Sequence, residues 1–314
     1  MPNNDHVVWR NRRPGAGLVA LAATLGLLLA GCGSPPEEDD GGRLTVLTTF
    51  TVIADMTREV AGGRVDVESV TRPGAEIHEY EPTPDDLVRG ADADLILDNG
   101  LGLERWFDQF IERAETPAAT LSDRTTPIPI TSGSYTGAPN PHAWMSPLNG
   151  VVYVENIRDA LTRLDPAGAA QYRANAERYT GELRRVNDEL VATLSALPPN
   201  QRALVSCEGA FSYLTRDAGL REGYLWPVNS DAEGTPQQIA ATVEFVRQND
   251  VPAVFCESTV NDGAQRQVAA DTGARLGPPL YVDSLSEADG PVPTYLELLR
   301  HDARTIGSTL TTAP

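Results

Sequence analysis

Ala167-Gly-Ala-Ala-Gln-Tyr-Arg-Ala-Asn-Ala-Glu-Arg-Tyr179 opens a stretch that reaches Leu197 without a proline, and Gly181 is its only glycine after Gly168. Tyr172, Tyr179, Leu183, Val186, Leu190 and Leu194 recur at helical spacing, and Pro198-Pro199 cannot continue the pattern. Residues 167–196 therefore read as one long amphipathic helix. Short apolar runs alternate with helix-like stretches on both sides of it. Before it come Leu44–Phe50, Val52–Val60, Val65–Val70, Leu87–Ala91, Ala93–Asp98, Leu103–Ala114 and Ala118–Ser122. After it come Ala203–Cys207, Ala210–Asp217, Gly223–Val228, Pro236–Asn249, Ala253–Cys256, Gly263–Thr272 and Leu280–Asp283. Strands alternating with helices predict parallel sheets covered on both faces. The fold expected is α/β: a lobe over 44–165 and a lobe over 199–314, each with a parallel sheet flanked by helices. One long helix within 166–198 joins them and limits how far they can swing.

The N-terminus reads differently. Arg10, Arg12 and Arg13 precede an apolar run, Leu18–Leu29, too short to span a bilayer as a permanent helix, and Leu29-Ala-Gly-Cys32 follows. This is the layout of an export signal. A small-residue cleavage site ending in Cys resembles the bacterial lipobox, which implies that residues 1–31 are removed and that Cys32 is acylated. The alternative is an ordinary secreted protein cleaved nearby. Two or more acyl chains hold a protein at a membrane stably. The Pro-, acid- and Gly-rich residues 32–43 then form a solvated tether.

The formal charge is −19, and removing Asp5 and the three early arginines leaves the mature form near −21. Such acidity excludes nucleic acid as a partner class. No lysine occurs, so the chain has no Gly-x-x-x-x-Gly-Lys-[Ser/Thr] nucleotide loop.

Only four histidines are present. His6 lies in the signal and His301 in a C-terminal helical pattern, which leaves His78 and His142 in loops. Ligands of doubly wound sheets bind beyond the C-terminal ends of strands. The polar residues expected at those ends are His78 after the second strand, His142 after the fourth, Glu208 after Ala203–Cys207, and Asp283 closing Leu280–Val282. Each alone reads equally as a cap or a solvated loop residue. Two imidazoles with two carboxylates form a donor set for a divalent metal.

From Leu44 to Leu310 the chain resembles the metal-binding lipoproteins of bacterial ABC importers for manganese, zinc and iron, the family with a rigid backbone helix. The resemblance rests on His78-Glu-Tyr-Glu-Pro-Thr-Pro-Asp85, Pro141-His-Ala-Trp144, Ser206-Cys-Glu-Gly-Ala-Phe-Ser-Tyr-Leu214, Glu233-Gly-Thr-Pro-Gln-Gln-Ile239 and Val282-Asp-Ser-Leu-Ser286, in that order. It implies metal ligands at His78, His142, Glu208 and Asp283, two from each lobe. It also implies an ABC permease and a separate ATPase subunit as partners, a monomer, and a lipid-anchored place on the extracytoplasmic face of the cell membrane.

Zinc-type members resemble this chain but carry a third His where it has Glu208. They often have a His-rich loop before the second ligand, whereas residues 115–141 contain no His. The oxygen-richer set favours Mn(II), then Fe(II), with Zn(II) the remaining candidate. Two carboxylates also offset the charge of the ion. Protonation of His78 and His142 is expected to weaken binding as pH falls through the imidazole range.

In this fold Cys207 and Cys256 should end adjacent strands, each directly before a glutamate, Glu208 and Glu257. A disulfide is expected, two buried free thiols being the alternative. Its reduction should loosen the metal. Glu257 is a reserve ligand or a support for one. The rival function classes are a zinc-specific receptor, a non-haem metalloenzyme built on two His and a carboxylate, and a metal-binding adhesin. A fourth protein ligand leaves an enzyme little room for substrate.

Overall fold

A computed structural model describes residues 42–78, 80–107, 116–228 and 234–311. The signal segment, Cys32 and most of the tether lie outside the described residues, as does the C-terminal part of the helix expected over Leu103–Ala114. No helix among the described residues is long and apolar enough to cross a membrane.

The first lobe is built on a four-stranded, wholly parallel sheet in the order β2-β1-β3-β4. Its strands are β1 (Thr45–Thr48), β2 (Asp66–Ser69), β3 (Leu95–Asp98) and β4 (Ala118–Thr120). Central β3 is buried along its whole length, as a strand covered on both faces must be. Helix α1 (Thr51–Ala61) follows β1 and ends at Gly62 in the left-handed conformation, φ 57°. Helix α2 (Pro84–Asp92) starts with proline in its first turn and a reciprocal capping box between Thr83 and Asp86. The series above lacks one element: helix α3 (Pro147–Leu164), 18 residues long, capped by the Ser146 hydroxyl.

The long helix is α4 (Ala169–Leu194), 26 residues or about 39 Å at 1.5 Å per residue. It buries Tyr172, Ala176, Tyr179, Leu183, Val186, Leu190 and Leu194 along one stripe. That stripe packs on α1 and α3 of the first lobe, and on α5 (Ser212–Ala218) and α8 (Tyr295–Thr311) of the second. Each large apolar side chain so buried contributes about 1.5–3 kcal/mol.

The second lobe pairs β5 (Ala203–Glu208) with β6 (Arg221–Trp226), and β7 (Ala253–Val254) with β8 (Arg275–Leu276), all parallel. The Phe255 amide donates to the Val205 carbonyl at 2.8 Å and joins the two pairs. Helices α6 (Pro236–Gln248) and α7 (Gly263–Thr272) cover this sheet.

The strand expected over Leu280–Asp283 is reduced to a single bridge, Leu280 to Glu257. Side chains take over the ladder there. Asp302 Oδ1 accepts from the Tyr281 amide at 3.1 Å, and Trp144 Nε1 donates to the Val282 carbonyl at 3.1 Å. The segment is thereby held by α8 and by the first lobe rather than by a neighbouring strand.

Candidate metal centre

Four chain segments deliver the sequence-predicted residues to one buried point between the lobes. His78 lies on a loop that follows β2. That loop is pinned by Gly74 N–H donating to the Leu285 carbonyl at 3.1 Å and to Ser284 Oγ at 2.7 Å, and by Trp106 Nε1 donating to the Ile77 carbonyl at 3.1 Å. His142 caps the short 3-10 turn Ala143–Met145. Glu208 is the last residue of β5, and Asp283 follows the Leu280 bridge.

His78 Nε2 and His142 Nε2 are 3.0 Å apart. Glu208 approaches both, Oε1 at 3.7 Å from His78 Nε2 and Oε2 at 3.7 Å from His142 Nε2. Asp283 Oδ1 lies 3.9 Å and 3.8 Å from the same nitrogens. No side chain of the four is more than 5% exposed. Asp283 Oδ1 is buried with no hydrogen-bond partner among the described residues. An orphaned buried acceptor costs stability unless something cationic or protic meets it. Two nitrogens and carboxylate oxygens facing one point are what a divalent cation supplies with partners.

The electrostatics follow from burial. His78 is pushed below the usual imidazole range by desolvation, against a weaker opposing pull from Glu76. His142 is pushed well below it, by desolvation first and by His78 second. Desolvation, then Glu76, pushes the Asp283 carboxyl up. With no cation, the neutral forms of all three are favoured.

Cys207 and Cys256 form a disulfide, with Cα atoms 4.8 Å apart. Glu257, the reserve candidate, does not join the converging donors. Its carboxyl accepts from the Glu208 backbone amide at 3.3–3.4 Å and so lies directly behind that residue. Burial raises its pKa to about 8. His301 sits on α8 with its ring 5.2 Å from that of Tyr281, outside the cluster.

Sequence reasoning missed the residue that orients His142. Asn140 Oδ1 lies 3.0 Å from His142 Nδ1 and accepts from the His142 amide at 3.0 Å. An amide oxygen only accepts, so Nδ1 carries the hydrogen and Nε2 turns its lone pair to the cluster. The signal was an amide side chain two residues before a candidate ligand. A cleft of about 530 Å³, lined by His78, Leu101, Arg105, Tyr135, Pro141 and Val228, reaches the cluster on the His78 side.

The chain is similar to several known metal-binding proteins. The iron-binding protein YfeA of Yersinia pestis is 49% identical over 270 residues, covering 86% of this chain and 87% of that one. The manganese-binding lipoprotein MntA of Halalkalibacterium halodurans is 34% identical over 289 residues, covering 91% and 95%. The structure of a Mn-bound periplasmic metal binding protein from Candidatus Liberibacter asiaticus superposes with a TM-score of 0.80 at 39% identity, covering 85% of this chain and 99% of that one. The family model described as zinc-uptake complex component A, periplasmic, matches residues 46–309, and the chain belongs to that family of metal-binding, substrate-binding proteins of ABC importers.

Proposed function

We propose that the protein captures Mn(II) between its lobes through His78, His142, Glu208 and Asp283 and hands it to an ABC permease driven by a separate ATPase. It acts as a monomer, tethered through lipid on Cys32 to the extracytoplasmic face of the cell membrane. It performs no chemistry on the ion. The observation that carries the reading is the convergence of two imidazole nitrogens and two carboxylates at 3.0–3.9 Å, with Asp283 Oδ1 lacking a hydrogen-bond partner among the described residues. Fe(II) is the second ion these donors suit, and the 49% identical relative is named for iron.

Zinc exceeds manganese in affinity for most nitrogen and oxygen sites, so the relevant quantity is the ratio of the two affinities. Competition between Mn(II) and Zn(II) for the wild type and for Glu208→His tests it. The third imidazole should shift the ratio toward zinc by about tenfold or more, since nitrogen suits zinc better than it suits manganese. An unchanged ratio would remove Glu208 from the ligand set.

The pH dependence differs from the one expected of exposed imidazoles. Near neutral pH the buried histidines are already unprotonated and Asp283 holds a proton. A binding cation must expel that proton. Affinity should therefore rise with pH below the raised Asp283 pKa, by about tenfold per unit for one proton, and level off above it. Competition from the imidazoles moves to more acid conditions because their pKa values are depressed. Calorimetric titration at pH 6.5 in buffers of different ionisation enthalpy should report about one proton released per metal bound. Zero release would contradict this account.

A further inference from the structure

We infer that Asn140 is a positioning residue that sets the spacing of His142 and Glu208 across the two lobes, and that this task requires an amide rather than a carboxylate. The inference rests on the metal-site reading and extends it.

Asn140 is 3% exposed, and both ends of its side chain are engaged. Its oxygen faces His142 Nδ1 and the His142 amide. Its nitrogen donates to the Gly209 carbonyl at 2.6 Å and to Ser212 Oγ at 3.2 Å. A carbonyl only accepts, so the amide orientation is fixed from both sides. Its backbone carbonyl accepts from Tyr213 OH at 2.7 Å. Gly209, Ser212 and Tyr213 belong to the turn and helix that directly follow Glu208.

Gly209 is itself held, its amide donating to the Trp226 carbonyl at 2.9 Å. A Cβ there would come within 2.7 Å of the Pro227 carbonyl, so this turn sits tight against the end of β6. One amide thus joins a first-lobe candidate ligand to the turn beside a second-lobe one. The 3.7 Å separation of His142 Nε2 and Glu208 Oε2 is spanned by this joint. Aspartate at 140 would still accept from His142 Nδ1, but it would set a carboxylate oxygen against the Gly209 carbonyl, where only a donor is tolerated.

Asn140→Asp and Asn140→Leu separate the two tasks, read by Mn(II) and Zn(II) titration calorimetry, nitrogen NMR of the His142 ring without metal, and thermal melts. Asn140→Leu should lose the fixed Nδ1–H tautomer and weaken metal binding 10- to 100-fold, the range seen when a partner behind a ligand is removed. Asn140→Asp should keep the tautomer yet bind about tenfold more weakly than wild type. Wild-type affinity in Asn140→Asp would overturn the clamp even if the leucine variant failed to fold. An unaltered tautomer and affinity in a folded Asn140→Leu would overturn the positioning role altogether. His142→Ala is the control for the underlying reading: if it binds metal normally, the site itself is misassigned, whatever the Asn140 variants do.

Discussion

Asp283→Ala will gain no more than about 1.4 kcal/mol from Mn(II) at a thousandfold excess over the wild-type Kd, a concentration that stabilises the wild type by about 4 kcal/mol. The loss follows from removing a donor that faces both imidazoles at 3.8–3.9 Å. Partners standing behind ligands already cost 10- to 100-fold when removed, so a ligand should cost more than about 100-fold. Without metal the sign reverses. Asp283 Oδ1 is buried without a hydrogen-bond partner among the described residues, and such a group costs on the order of 1–3 kcal/mol. Alanine removes that cost and leaves only a small void, so the metal-free variant should equal or exceed the metal-free wild type in stability. Paired melts with and without Mn(II) give both readings. A metal-free variant destabilised by about 3 kcal/mol would mean that Asp283 serves the fold and not the ion.

Reducing the Cys207–Cys256 disulfide, or replacing both residues by serine, is expected to cost about 4 kcal/mol and to weaken metal binding. The bond spans 49 residues, and the chain-entropy model gives about 4 kcal/mol for a loop of that length. For a folded part of this size that corresponds to a fall of about 7 °C in Tm. The effect on metal has a separate route. Cys207 precedes Glu208, and Cys256 precedes Glu257, whose carboxyl accepts from the Glu208 amide. Freeing the two strand ends lets that contact slacken and the Glu208 carboxylate drift from the imidazoles. The dithiol form, made with excess dithiothreitol, should bind Mn(II) about tenfold more weakly, the lower end of the range for supporting groups. Equal affinity in the oxidised, reduced and double-serine proteins would reduce the bond to a stability element.

The sequence is most legible where one physical signal dominates. The spine helix announces itself by Tyr172, Leu183 and Leu190 at helical spacing, and central strands such as Ala203–Glu208 by unbroken burial. Helix α3 is harder to see. Its start signal is present in Ser146 and Pro147, but Asn149, Gly150 and Asn156 weaken its local propensity. Tertiary fit explains Gly150, where a Cβ would meet Tyr295 OH at 2.6 Å, a contact 145 residues distant in sequence. Leu280–Asp283 has the composition of a strand. It fails as one because Trp144 and Asp302, neither adjacent in sequence, claim its backbone groups. The candidate ligands were readable as polar residues after strands, whereas the joint at Asn140 was not. Its meaning depends on Gly209 and Ser212, about seventy residues away.

Helix α8, the last of the described elements, returns to the first lobe. The Tyr295 amide donates to Asp55 Oδ2 on α1 at 2.8 Å, and its hydroxyl donates to the Trp144 carbonyl, two residues from His142. The contact with Asp55 closes a loop of 240 residues. Synthesis therefore delivers this covering of the first lobe 240 residues after Asp55, and that lobe cannot finish packing until α8 is available. Contacts of such span slow folding, because the loop must close before they stabilise anything. A chain built this way stays open for longer than one whose halves fold independently, and its His78–His142–Glu208–Asp283 cluster, which uses residues from both lobes, is completed only when that circuit closes.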